Sequence, residues 1–195
     1  MSAATAQVTE RDWMNNGIKT VWYNCKNYRA GLIMEDGKLW LRDLTKFDER
    51  YEERYLRTAC EGWLANYDNL PMVDSRLWSQ GDAVCAISLL EAVADIHATE
   101  RSDTTLCVDI TFADGTAGSI LFTEEGIAFT NCGDLLYQAG AVHKETSLTF
   151  ADGMLSGCHN GFTYQVGIDG QIVSKSNGTV LKPQKDKLYF QMDIL

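Results

Sequence analysis

The chain has 195 residues, 45% hydrophobic and 23% charged, with 17 basic against 27 acidic side chains for a net charge of −10. A chain of this length buries roughly 70% of its unfolded surface and needs neither metal nor disulfide to fold, while its charge repels phosphate backbones and argues against nucleic acid as a partner. No apolar run approaches the ~18 residues that span a bilayer; the longest, AVCAISLLEAVADI, is broken by Ser88, Glu91 and Asp95.

Residues 1–16 are polar and read as a loose N-terminal segment, with Trp13 as the residue able to anchor it. The segment has neither a basic n-region nor an apolar h-region, which points to a soluble, cytoplasmic protein. Residues 17–195 read as a single domain. IKTVWYNCKN and AGLIMEDGKLWLRDL supply strands, the second stretch folded back at Glu35-Asp36-Gly37-Lys38. Asp-Gly between alternating apolar residues marks a type I′ hairpin, because both central positions need positive φ.

From Phe47 the period changes. Phe47, Tyr51, Tyr55, Ala59, Trp63 and Tyr67 recur every four residues, Thr45 and Asp48 resemble a loose capping box, and Asn69-Leu70-Pro71 supplies a stop. This predicts a helix over about 46–66. In DAVCAISLLEAVADIHATER, Ser88, Glu91, Asp95 and Thr99 mark a polar face at helical spacing, so a second helix is expected over about 83–100. Val93 to Thr99 also alternates as a strand would.

Residues 104–195 read as strand and turn throughout, punctuated by Asp114-Gly115, Asp152-Gly153, Asn160-Gly161, Asp169-Gly170 and Asn177-Gly178, with a further turn read at Glu125-Gly126. An antiparallel β-meander accounts for this pattern. The pentapeptide Thr-Phe-Ala-Asp-Gly occurs twice, at 111–115 and 149–153, and reads as hairpin chemistry: each copy offers a single carboxylate where a calcium loop needs several oxygen ligands. The expected fold is therefore α+β, an antiparallel meander curled into a sandwich or open barrel, with two helices inserted after an N-terminal hairpin.

The six cysteines lie 22 to 35 residues apart without a CxxC pair, which suits reduced thiols packed as small hydrophobes. His97, His143 and His159 lack metal-ligand spacing, so no metal is expected, and without a phosphate-binding or dinucleotide fingerprint no cofactor is expected either. Cys158-His159-Asn160 contains the residue types of a nucleophilic set, but neighbours on a strand point to opposite sides, whereas such a set converges from distant positions. Cys25 with His143 is a second, equally unsigned pairing.

The acidic and aromatic stretch 48–78 suits a saccharide: rings stack on Trp or Tyr, and hydroxyls bond to Asp, Glu and Arg. The connector YDNLPMVDSRLWS falls outside clear periodicity, and polar loop residues on rigid supports are where sites tend to lie. Tyr67, Asp68, Asp74, Arg76 and Trp78 are the expected ligand-binding residues, with Asp68 and Asp74 the candidates for catalysis. The function expected is carbohydrate binding or processing. The alternative is a structural or assembly protein that binds itself or another chain through sheet edges and exposed aromatics.

Overall fold

The structure is a computed structural model that describes residues 4–59, 68–74, 85–138, 146–176 and 178–194. Its strands are β1 (Thr5–Thr9), β2 (Lys19–Asn24), β3 (Tyr28–Glu35), β4 (Lys38–Lys46), β5 (Leu70–Asp74) and β6 (Ala86–Leu89). Then come β7 (Val93–Ser102), β8 (Thr105–Phe112), β9 (Ala117–Phe122), β10 (Gly126–Thr130), β11 (Leu135–Gln138) and β12 (Thr146–Ala151). The last five are β13 (Met154–His159), β14 (Phe162–Asp169), β15 (Gln171–Lys175), β16 (Gly178–Lys182) and β17 (Lys187–Gln191).

Among the described residues, two antiparallel sheets result. Sheet A has nine strands in the order β1-β2-β3-β4-β6-β11-β16-β15, with β5 also pairing β4; sheet B has eight in the order β12-β13-β14-β17-β10-β9-β8-β7. One hydrophobic core draws on both, with Leu32, Leu39, Leu44 and Leu135 of sheet A and Val108, Ile120, Ile127 and Phe190 of sheet B fully buried in it. Tyrosine hydroxyls cross between the sheets: Tyr23 donates to the Thr104 carbonyl at 2.6 Å, Tyr28 to Thr123 at 2.7 Å and Tyr164 to Pro71 at 2.7 Å. Each buried ring thus carries its polar tip to a backbone carbonyl. Lys46, likewise buried, donates to the Gln165 and Ile194 carbonyls and ties sheet A to the chain that follows β17. Burial pushes its ammonium below the ordinary lysine range.

The α+β expectation is overturned: the described residues are strands and turns, with a single 3₁₀ turn at Arg54–Leu56. In place of the first helix, β4 runs on to Lys46 and residues 47–53 are extended or turned, while 60–66 lie outside the described residues. The reason is in the spacing. At 3.6 residues per turn, a strict interval of four drifts about 40° per step and makes no constant face. Phe47 and Leu56 are accordingly exposed, and among the described members of the stripe only Tyr51 packs against the core. The helix expected over 83–100 is instead β6 and β7, with 83–84 outside the described residues. Here a bulge misleads: Val93 pairs with Phe112 and Asp95 with Thr111, so Ala94 is an extra residue. It sets the inward residues Val93 and Ile96 three apart and imitates helical spacing.

The turn signals fare better. Asp36-Gly37, Asp152-Gly153 and Asn160-Gly161 all take the paired positive φ of type I′ turns. The repeated pentapeptide turns the chain in both copies, by two different routes. Asp152-Gly153 makes a two-residue turn, whereas at 113–115 only Gly115 is left-handed, and Asp114 instead holds the Thr116 amide and hydroxyl. Asp169-Gly170 is no hairpin, because there the chain passes from β14 in sheet B to β15 in sheet A. The simple meander also gives way: β11, β15 and β16 join sheet A.

Residues Thr5–Thr9 of the N-terminal segment form an edge strand on β2, and Trp13 is 93% exposed. Among the described residues no helix is long and apolar enough to cross a membrane.

Candidate functional site

The expected site residues divide at β5. Asp68, just before the strand, is buried between the sheets. Its Oδ1 accepts from Tyr51 Oη at 2.6 Å, His159 Nε2 at 2.9 Å, Asn160 Nδ2 at 3.2 Å and Arg54 Nη2 at 3.4 Å, and its Oδ2 from the Arg54 amide at 2.5 Å. Burial works to raise the Asp68 pKa, but the Arg54 amide, Tyr51, His159 and the Arg54 guanidinium outweigh it and hold the carboxyl well below the usual range. Burial, with Asp68 beside it, pushes Tyr51 up to about 12.

His159 is fully buried at the end of β13, on the inward phase with Leu155 and Gly157. With Nε2 donating to Asp68, Nδ1 accepts the Thr146 hydroxyl at 2.7 Å. This network fastens the β12–β13 hairpin of sheet B to the segment leading into β5. Every Asp68 oxygen is occupied from within, so the group acts as an anchor. Cys158 stays half-buried on the opposite phase of the strand, while Asn160, at the turn, joins Asp68 and Tyr51.

Asp74, at the other end of β5, lies directly opposite Asp43 of β4. Opposed residues of an antiparallel pair share a face, and two carboxylates there repel unless cations intervene. Arg29 of β3 supplies one, donating to both Asp43 oxygens at 3.0 and 2.9 Å and to Thr45 Oγ1 at 3.2 Å. A bulge between Gly31 and Leu32 opposes Gly31 to Asp43 and Leu32 to Leu41, leaving Arg42 as the additional residue. Arg42 thereby joins the same patch, its guanidinium carbon 5.3 Å from the Trp22 ring centroid, with that of Arg29 at 6.0 Å.

Trp22, on β2 opposite Gly31, lies against that glycine: a Cβ there would come within 2.8 Å of the indole. The absent side chain lets the ring settle on the backbone. An indole, two guanidinium groups and two carboxylates thus share one sheet face, of which the sequence reading had identified Asp74 alone. Tyr67, Arg76 and Trp78 lie outside the described residues; Asp74 also forms an isolated bridge with Cys85.

Trp22, Arg29, Arg42 and Asp43 escaped notice in the sequence because they occur in ordinary strand alternation, and only register and a bulge bring them together. His159 carried a signal. On the inward phase of MLSGCH a histidine requires a buried partner, and an acid is the usual one. Comparison with protein-family models, curated proteins and solved structures finds no match to the chain.

Proposed function

We propose that the protein binds a saccharide on the face of sheet A formed by β2, β3, β4 and β5. The observation that carries this reading is Trp22 seated on Gly31 with Arg29, Arg42 and the Asp43–Asp74 pair around it. Sugar C–H faces stack on an indole, while hydroxyls take hydrogen bonds from guanidinium groups and give them to carboxylates. Asp43 has both oxygens engaged by Arg29, which favours binding over proton transfer.

The test is calorimetric titration and thermal shift with a panel of mono- and oligosaccharides. A ligand at 100 times its Kd adds about 2.7 kcal/mol of stability, or roughly 5–10 °C for a chain of this size. Trp22→Ala and Asp74→Asn are each expected to weaken binding at least tenfold, about 1.4 kcal/mol. Gly31→Ala, which displaces the ring, should do the same while leaving both sheets intact. A flat panel, or undiminished binding in Trp22→Ala, overturns the proposal.

A further inference from the structure

The edges of the two sheets are defended unequally. β7, the edge of sheet B, is broken by two bulges and carries exposed His97, Glu100 and Arg101, devices that discourage a further strand from pairing. β1, the neighbouring edge of sheet A, has none of them. Its sequence Thr5-Ala6-Gln7-Val8-Thr9 is uncharged, pairs with β2 without a register shift, and leaves Gln7 and Val8 exposed.

Read in reverse, β1 nearly repeats itself. An antiparallel pairing about a two-fold axis at Gln7 sets Thr5 opposite Thr9, Ala6 opposite Val8 and Gln7 opposite Gln7. A two-fold axis sets an edge strand against its own reverse, and here every opposed pair is uncharged and alike in character. The edges β12 and β15 are less alike on reversal, which sets Ser147 opposite Phe150 and Gln171 opposite Lys175.

The geometry points to a homodimer in which two copies of β1 join sheet A of each chain into one continuous sheet. In that arrangement the Thr9 end of one strand runs out beside Thr5 of the other. The turn that follows Thr9 is firmly built: the Asp12 carboxylate accepts the Asn16 and Ile18 amides at 3.0 Å each, and Glu10 meets His97 at 2.8 Å. It holds Trp13 at 93% and Met14 at 61% exposure.

Beside Thr5 lies a cleft of about 170 Å³ lined by Ala4, Ala6 and Tyr23, with Glu100 and Asp103 on its wall. Each turn therefore brings Trp13, Met14 and Arg11 towards a mixed cleft on the other copy, where Tyr23, Ala4 and Ala6 suit the apolar pair and Glu100 and Asp103 the cation, while the flanking Glu10 and Asp12 are engaged within their own chain. The two-fold axis makes this contact twice. The axis adjoins the saccharide face, since Gln7 lies opposite Trp22, but the pairing needs no sugar, so sedimentation without saccharide tests it separately.

Sedimentation velocity on the full chain tests it across protein concentrations up to about 1 mM, where an association of only ~4 kcal/mol would register. The mass should rise with concentration from 21.8 kDa to twice that value. Gln7→Lys and Gln7→Glu each place like charges at the axis and should weaken association at least tenfold. Both substitute an exposed residue, so the fold is retained, and an equimolar mixture of the two should regain the dimer as a heterodimer. Trp13→Ala should weaken association without changing the far-ultraviolet spectrum. A mass fixed at 21.8 kDa throughout, association unchanged in the single variants, or no recovery in the mixture would overturn the proposal.

Discussion

Asp68→Asn is expected to destabilise the protein by about 3 kcal/mol, read as a fall in Tm of roughly 6–12 °C. The donors that converge on this side chain are the Tyr51 hydroxyl, the Arg54 amide and guanidinium, His159 Nε2 and Asn160 Nδ2. An amide keeps one acceptor oxygen and adds two N–H donors among groups already donating, so several buried polar atoms lose their partner. The effect depends on pH with a defined sign. Because the folded carboxyl titrates below the ordinary value of about 3.9, its stabilisation is complete above about pH 4 and is lost as pH falls below that value toward the folded pKa. The gap between wild type and Asp68→Asn, measured by urea unfolding, should therefore be constant from pH 5 to 7 and narrow below about pH 4. A gap that widens in acid would show that Asp68 does not hold its charge in the folded state.

Gly126→Ala should cost about 3 kcal/mol, at the upper end of the range for overpacking. A Cβ on Gly126 would stand 2.2 Å from the Phe190 carbonyl oxygen and 2.6 Å from the Tyr189 hydroxyl. The carbonyl belongs to the backbone of β17 and has no free torsion with which to retreat. The β10–β17 pairing must open instead, and the Gly126 carbonyl would move away from the Tyr28 hydroxyl, now 3.1 Å away. The expected result is a lower urea midpoint together with faster amide exchange in Ile127–Thr130. Gly115→Ala, where a Cβ meets nothing within 4 Å, is the control for backbone strain alone, since its φ is +86°.

Gly126 also marks where sequence reasoning reaches its limit. Glu125-Gly126 reads as a turn, but the turn is Glu124-Glu125, closed by hydrogen bonds between Thr123 and Gly126, and the glycine is there for close approach to the neighbouring strand. The local signals that were legible are those enforced by one or two residues. Asp-Gly and Asn-Gly pairs favour left-handed backbone, so the hairpins at 36–37, 152–153 and 160–161 could be read directly, whereas Asp169-Gly170 takes no positive φ and Asp114-Gly115 does so at the glycine alone.

Periodicity was a weaker guide. One inserted residue in β7 turned a strand pattern into an imitation helix, and aromatic residues spaced four apart in 47–59 follow no constant face. The candidate site was half legible. Asp74 stood out, but Asp43 lies thirty-one positions earlier and meets it only through the return of β5 onto β4. No composition or spacing announces such a register.

The placement of β17 has a consequence for how the molecule is made. This strand bonds to β14 on one side and to β10 on the other, so it is the seam between β12-β13-β14 and β10-β9-β8-β7. A ribosome that has not yet delivered Lys187–Gln191 holds two half-sheets, each with a bare inner margin. At roughly 5–20 residues per second, those margins stay open for seconds after β14 has emerged. They close in one late insertion, a step of high contact order and correspondingly slow. The nascent chain is thus most in need of a chaperone just before β17 appears, and the surface to be shielded is one that the folded sheet no longer has.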